Sequence, residues 1–334
     1  MRINFVFFEL ILFLPTMTAT FMKKIILFSL IIAFAFSTKF TQAQQFDKDF
    51  GFRLGAAFYL GDLSGTGKEV KFGPMNIQFN QIGLNFGITG RKFLSPAFAI
   101  QGSLNYGRLR GSDNLSQIPE HYTRNLSFRN DIFELAARLE YHFLHLRDVG
   151  RTYRYKLGFT SFIFAGAGAF YNNPKANLNG TWYALQPLQT EGVKYSKIQV
   201  AIPMGLGFEF RINKKHVIGW DVGVRMTFTD YVDDVSTNYL HNSKFEDPIA
   251  KALQDRSIEV EAEGAGDLYV GKQYYSYGSN VEEAGIRGNP DNNDWYMWSG
   301  VTYKYAIRRK RKFNRIKYHF ARRKVKRRRS RAKF

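Results

Sequence analysis

Three aspartates close together, Asp230, Asp233 and Asp234, are the residues whose types and spacing most resemble a ligand-binding set. Carboxylate oxygens are calcium ligands, so these residues form a weak calcium candidate, although such clusters are more often the solvated base of a loop. The chain has 6 histidines and no cysteine, and no two histidines have a metal-ligand spacing. Its sequence contains no nucleophile elbow, phosphate-binding loop or zinc-protease motif. We therefore expect no catalytic residue, no cofactor and no other metal.

Charged residues also recur at alternate positions within apolar segments. Successive side chains of a strand point to opposite faces, so each such segment has one apolar wall and one wall that carries charges. In a barrel with an apolar outer wall the charges face inward, and buried charges must pair. We interpret them as a structural ion-pair plug rather than an ion path. The inward candidates are Arg53, Glu134, Arg138, Glu140, Glu209, Asp221, Arg225 and Lys304.

The positions of these segments define the fold class. Period-two alternation predicts eight strands, over about residues 48–60, 80–91, 96–108, 127–145, 157–171, 196–211, 215–229 and 294–307. Their connections alternate between long and short, which is typical of a transmembrane barrel with periplasmic turns and extracellular loops. We predict an all-β, eight-stranded antiparallel transmembrane β-barrel whose interior is filled by side chains. The alternative is a secreted β-sandwich.

The N-terminal region predicts export. A basic start at Met22, an apolar stretch over residues 25–36 and the small residues of Thr41-Gln42-Ala43 are typical of a signal peptide. We assign residues 22–43 to that peptide, residues 44–307 to the barrel and residues 308–334 to a periplasmic tail. Residues 1–21 are interpreted as an upstream extension, with Met22 as the true start. The mature chain is expected in the outer membrane with both termini in the periplasm.

The positive charge is concentrated in the tail. The formal net charge is +20, and residues 308–334 contain 16 Lys and Arg and no acid, which leaves 20 − 16 = +4 for the rest of the chain. Because the chain is expected to be exported, we expect no nucleic-acid partner. We expect the tail to bind an acidic periplasmic protein, the cell wall or anionic headgroups. The partner-binding candidates are Arg308, Arg309, Lys310, Arg311, Lys312, Arg322, Arg323 and Lys324.

Charge also differs between the short turns and the longest loop. The turns are predicted to be basic, with Arg91 and Lys92 in the first of them. Loop 230–293 holds 13 Asp or Glu against 5 Lys or Arg. The predicted periplasmic face is therefore strongly positive, and the opposite face carries an acidic loop.

An ordered series of short motifs runs through the predicted barrel. Its first members are Gly55–Leu63, Tyr106–Gly111 and Arg124–Leu135, followed by Asn173–Ala176, Trp182–Leu188, Thr190–Gly192 and Thr229–Ser236. Over about residues 48–307 this series resembles the PorG-like family of Bacteroidetes outer-membrane proteins. The basic tail and the acidic loop are not part of the family pattern.

The resemblance implies a component of the type IX protein secretion system. In that family the barrel associates with a periplasmic ring of the lipoprotein PorK and its partner PorN, and the system also supports motility in gliding relatives. The chain is accordingly expected to be a non-enzymatic anchor that docks such a ring through its basic periplasmic face. The alternatives are a lipid-modifying barrel enzyme and a surface-binding barrel that uses loop 230–293.

Overall fold

The computed structural model describes residues 48–63, 79–116, 119–146, 158–213, 215–262 and 285–307. The predicted signal peptide, the upstream extension and the basic tail with all eight of its partner-binding candidates lie outside these residues. Among the described residues, no helix is long and apolar enough to cross a membrane.

Ten strands are present in the described part of the chain. Eight of them form the barrel, and their bounds differ from the predicted ones by at most four residues. They are β1 (Lys48–Leu60), β2 (Gly83–Phe93), β3 (Phe98–Ser112), β4 (Ser127–Leu146), β5 (Gly158–Tyr171), β8 (Ile198–Arg211), β9 (His216–Thr227) and β10 (Trp295–Ile307). The other two, β6 (Pro174–Leu178) and β7 (Thr181–Ala184), form a hairpin in a predicted loop.

Antiparallel pairing closes the sheet into a barrel. The sheet order is β3-β2-β1-β10-β9-β8-β5-β4-β6-β7, and an additional β3–β4 pairing joins the ends of the eight-stranded part. The first and last strands meet along their whole length, from Lys48 opposite Ile307 to Leu60 opposite Trp295. Closure leaves the eight-stranded sheet without a free edge. The predicted eight-stranded antiparallel barrel is therefore confirmed.

Alternation separates a lipid-facing belt from a filled interior. On β4, Phe133 and Leu135 are 54% and 67% exposed, whereas Glu134 between them is 1% exposed. The same pattern on β1 leaves Phe52 and Leu54 outside and buries Arg53. A closed barrel whose exposed face is this apolar is the form in which strands satisfy their backbone hydrogen bonds within lipid. The chain is an outer-membrane β-barrel.

A cap covers the end of the barrel at which the long loops lie, here called the long-loop end. The β6–β7 hairpin extends β4 beyond the barrel, because Arg129 and Asn130 pair with β6. Its turn places Asn179 and Gly180 at φ 52° and 84°, the conformation of a two-residue hairpin turn. The hairpin packs on two helices of the cap, since Ala176 of β6 is buried against Leu185 and Leu253. The cap's helices and 3₁₀ turns are Pro119–Arg124, Leu185–Leu188, Pro248–Gln254, Ser257–Ala262, Phe79–Gln81, Asp113–Leu115 and Asn242–Lys244.

Candidate functional site

The structure brings the eight predicted inward charges together inside the barrel. All eight side chains are at least 95% buried, and they form ion pairs across the lumen. Asp221 bridges two arginines, with Oδ2 lying 3.1 Å from Arg53 Nη1 and 2.8 Å from Arg138 Nη1. The remaining pairs are Arg138 with Glu140 at 3.0 Å, Arg225 with Glu134 at 3.4 Å and Lys304 with Glu209 at 2.7 Å.

Arg91 is the centre of this network, and its predicted place in a basic periplasmic turn is wrong. The side chain lies inside the barrel, where it contacts Asp49 at 2.7 Å, Glu140 at 2.9 Å and Glu209 at 2.8 Å. Arg91 lies an even number of residues from Asn85 and Thr89, which also point inward on β2. Residues so spaced on a strand share a face, and this shared parity is the sequence signal that identifies Arg91 as an interior residue. Lys92, one residue later, also belongs to β2 rather than to a turn, and its side chain is exposed.

The charged layer is electrically balanced. It contains five bases and five acids, so its formal charge is 5 − 5 = 0. Buried ions are tolerated when each has a partner, whereas an isolated buried ion costs several kcal/mol. Because every carboxylate faces a guanidinium or an ammonium, the layer offers no free charge to a passing ion. Its members are Arg53, Arg91, Arg138, Arg225, Lys304, Asp49, Glu134, Glu140, Glu209 and Asp221.

Two phenylalanines from β5 share this layer. Phe162 and Phe164 are 2% and 4% exposed, and Ile163 between them is 50% exposed. The guanidinium of Arg138 lies 4.2 Å from the centre of the Phe164 ring, a cation–π contact. Glycines opposite β5 make room for these rings, since a β-carbon on Gly207 would lie 2.4 Å from Phe162. The interior of β5 is therefore aromatic, which explains its weak alternation in the sequence.

A hydrophobic layer fills the lumen above the charges, towards the long-loop end. Tyr296 and Trp298 from β10 are fully buried and pack with Phe170 in one cluster. Val232 and Val235 from the segment after β9 belong to the same cluster, so the loop contributes to the plug. Both layers leave the interior filled with side chains rather than open along its axis.

The cap is held by buried ion pairs of its own. Arg287 Nη1 lies 2.8 Å from Glu191 Oε1, and its Nη2 lies 3.9 Å from Asp234. Arg124 Nε lies 2.7 Å from Asp113 Oδ2, and its Nη1 donates to the Arg287 carbonyl at 2.5 Å. Four segments that are far apart in sequence therefore meet at two arginines.

The three aspartates of the calcium candidate do not form one site. The hydroxyl of Tyr59 contacts Asp233 and Asp294, whereas Asp234 accepts hydrogen bonds from Thr190 and Tyr195. No group of three or more His, Asp or Glu side chains that could hold a metal ion occurs in the described ranges. Asp233 and Asp234 instead have separate structural partners.

Burial raises the pKa of several carboxyl groups at this end of the barrel. Burial, with the neighbouring Asp62 and Glu191, raises the pKa of Asp230 to about 8. The pKa of Asp62 is raised to about 6, also by burial first. Burial, followed by repulsion from the neighbouring Asp62 and Asp230, raises the pKa of Asp233 and Asp294 well above the ordinary value. Protonation of these carboxyl groups therefore stabilises the folded cap, because their neutral forms are buried at a lower cost than their charged forms.

A serine–histidine contact is present in the cap. Nδ1 of His241 lies 2.8 Å from Oγ of Ser243, and the same nitrogen accepts a hydrogen bond from the Ser243 backbone N–H. Ser243 is exposed and His241 is half-buried, and His241 is the N-cap of the 3₁₀ turn that contains Ser243. The contact caps that turn.

Comparisons with known proteins identify a family, together with distant likenesses among solved structures. Residues 23–247 match the family model described as "Domain of unknown function (DUF6089)". No curated relative matches the chain in sequence. Among solved structures, Ail of Yersinia pestis is 9% identical, with a TM-score of 0.30, over 78% of this chain and 99% of that protein. OprG of Pseudomonas aeruginosa is 10% identical, with a TM-score of 0.32, over 79% and 98%. OmpW of E. coli is 11% identical, with a TM-score of 0.28, over 79% and 100%.

OprG and OmpW are outer-membrane proteins, but the identities and TM-scores of all three proteins are too low to carry any property from them to this chain. The family model, in contrast, covers more than half of the sequence and extends from the predicted signal peptide into the cap. The chain is therefore a member of the DUF6089 family, built as an outer-membrane barrel with a filled lumen.

Proposed function

We propose that this protein is a non-enzymatic outer-membrane anchor of the type IX secretion machinery, which docks a periplasmic ring of PorK and PorN type through a basic periplasmic face. The filled lumen carries the anchoring part of the proposal. A balanced ion-pair layer and an aromatic layer occupy the interior of the barrel, so transport through it would require the plug to be dismantled. The resemblance of segments such as Gly55–Leu63 and Thr229–Ser236 to the PorG-like family supports the secretion part.

Exposed lysines at the short-turn end support a basic docking face. Lys48 lies opposite Lys92 across β1 and β2 and opposite Ile307, the last residue of β10. Lys48, Lys92 and Lys215 are all exposed. The basic tail follows Ile307 in sequence, so its positive charges add to those of these lysines in the basic docking face that we propose. Like charges on one face attract an acidic partner at long range.

Affinity purification from solubilised outer membranes tests the proposal. The full chain is compared with a chain that ends at Ile307 and with a matched variant in which Arg308, Arg309, Lys310, Arg311 and Lys312 are replaced by Gln. Each must migrate as a heat-modifiable barrel. We expect ring proteins to co-purify with the full chain, to be lost on truncation and to be reduced in the Gln variant. The absence of any periplasmic partner with the full chain would refute the anchor function.

Three further readouts test the alternatives and the role of charge. A deletion strain with lost surface export and unchanged lipid A supports the anchor, whereas an altered lipid A profile would identify a lipid-modifying enzyme. Protease treatment of intact cells that removes loop 230–293 and abolishes export would place the function on the cell surface. Docking that is unchanged in about 1 M salt would show that apolar contacts, rather than charge, hold the partner.

A further inference from the structure

Three basic residues form one row across three adjacent strands on the outside of the barrel. Arg110 on β3 lies directly opposite Arg129 on β4, and Arg129 lies directly opposite Lys175 on β6. Directly opposed residues of an antiparallel pair point to the same face, and adjacent strands are about 4.7–4.9 Å apart. Like charges in such positions destabilise a sheet. This basic row therefore has an unfavourable arrangement unless an anion lies against it.

The row faces the membrane side and borders the lipid-facing belt. Arg129 has the same parity on β4 as Phe133, which is 54% exposed. Arg110 has the same parity on β3 as Leu104, which is 51% exposed. The row thus lies where the apolar surface ends, at the long-loop end. This is the level at which lipid headgroups meet a barrel.

The neighbouring acid, Asp131, does not neutralise the basic row. Asp131, one position closer to the apolar belt, forms its short ion pair with Arg108, at 2.7 Å. Its distance to Arg129 Nε is 3.8 Å. Among the described residues, Arg110 and Lys175 form no ion pair with an acid. The four bases Arg108, Arg110, Arg129 and Lys175 against one acid give a local formal charge of 4 − 1 = +3.

Trp182 holds the central arginine in place. Its ring lies on β7, and the guanidinium of Arg129 is 4.1 Å from the ring centre. Trp182 is 43% exposed, as is typical of tryptophan at the boundary between hydrocarbon and headgroups. Arg129 Nε is buried without a hydrogen-bond partner. Stacking therefore fixes the guanidinium plane beside a membrane-facing surface, which suits recognition of phosphate oxygens by paired N–H donors.

We propose that Arg110, Arg129 and Lys175, positioned by Trp182, bind the phosphate of a lipid A headgroup in the outer leaflet. A phosphate on a lipid fits because the row is continuous with the surface that the acyl chains cover. The proposal shares with the proposed function only the orientation that puts the long loops outside. It requires no secretion partner, so it stands or fails independently of the ring.

Lipid binding to the purified full chain, measured by native mass spectrometry from detergent, tests the proposal. The probes are diphosphorylated lipid A, dephosphorylated lipid A and phosphatidylglycerol. The test variant carries Arg110→Gln, Arg129→Gln and Lys175→Gln. The matched control carries Lys48→Gln, Lys92→Gln and Lys215→Gln, which removes three exposed charges at the other end of the barrel. Heat-modifiable migration confirms folding, and the single Arg110→Gln variant replaces the triple variant if that fails to fold.

We expect the parent to bind diphosphorylated lipid A, to lose affinity on dephosphorylation and to bind phosphatidylglycerol more weakly. The triple variant should lose about tenfold or more in affinity, since each charge-assisted hydrogen bond to phosphate contributes strongly. The single variant should lose part of this, and the control should bind as the parent does. Equal binding of all three lipids by the parent would overturn the assignment, and so would unchanged lipid A binding by the folded test variant.

Discussion

Replacing Arg91 by Met should destabilise the barrel more than any other single charge removal in the lumen. Arg91 contacts three buried carboxylates. Without Arg91, Glu140 still pairs with Arg138 and Glu209 still pairs with Lys304. Asp49, in contrast, forms no ion pair other than the one with Arg91 among the described residues. Asp49 is 1% exposed. Leaving one buried charge unpaired costs about 3–5 kcal/mol, so we expect the free energy of unfolding to fall by about that amount.

Urea unfolding in lipid vesicles, followed by tryptophan fluorescence, measures this free energy. The matched control is Lys92→Met, which removes the same charge from the next residue, where the side chain is exposed. It should change the free energy of unfolding by less than about 0.5 kcal/mol. Adding Asp49→Asn to Arg91→Met should recover part of the loss, because the unpaired carboxylate is then absent. A loss of less than about 1 kcal/mol for Arg91→Met would refute the assignment of Arg91 as the centre of the network.

Three other predictions concern the cap and the packing of the lumen. Because burial raises the pKa of Asp230 from 3.8 to about 8, the folded cap binds more protons than the unfolded cap, and its stability should fall as pH rises from about 4 to about 8. Asp230→Asn should flatten this dependence when proteolysis of the cap is compared at several pH values; an equally steep profile would contradict it. Gly207→Val should destabilise the barrel by about 1–3 kcal/mol, since a β-carbon there would lie 2.4 Å from Phe162. In the same urea titration Gly102→Val, which meets open space, should have little effect, and equal effects would argue against tight packing. Arg287→Gln should accelerate proteolysis of the cap while leaving heat-modifiable migration unchanged, because its buried partner Glu191 belongs to the cap.

The strands could be predicted from sequence because period-two alternation is a local signal. The same signal identifies the inward charges, and Arg91 was misplaced only because its basic neighbour suggested a turn. Parity along β2 groups it with Asn85 and Thr89. In β5 the adjacent apolar residues obscure parity, since the lumen accepts Phe162 and Phe164 as readily as the membrane accepts Ile163.

The cap was not predictable in the same way. Asn179-Gly180 is a recognisable hairpin signal, and it could have identified β6 and β7 within the predicted loop. The ion pairs of the cap depend on contacts between distant segments, as in Arg287 with Glu191, 96 residues apart. Spacing within Asp230, Asp233 and Asp234 suggested one shared ligand, but the chain turns so that Asp233 and Asp234 contact different neighbours.

The ion pairs across the lumen also select the register in which the barrel can close. Apolar alternation penalises a slip of one residue between β1 and β10, because that slip exchanges the two faces. A slip of two residues keeps every apolar side chain on the lipid side, and alternation alone does not oppose it. Such a slip would move Arg53 about 6.6–6.8 Å along the barrel, out of reach of Asp221, from which it now lies 3.1 Å away. The charged layer thus disfavours closure in the wrong register during assembly, since such a closure would leave unpaired ions inside the barrel.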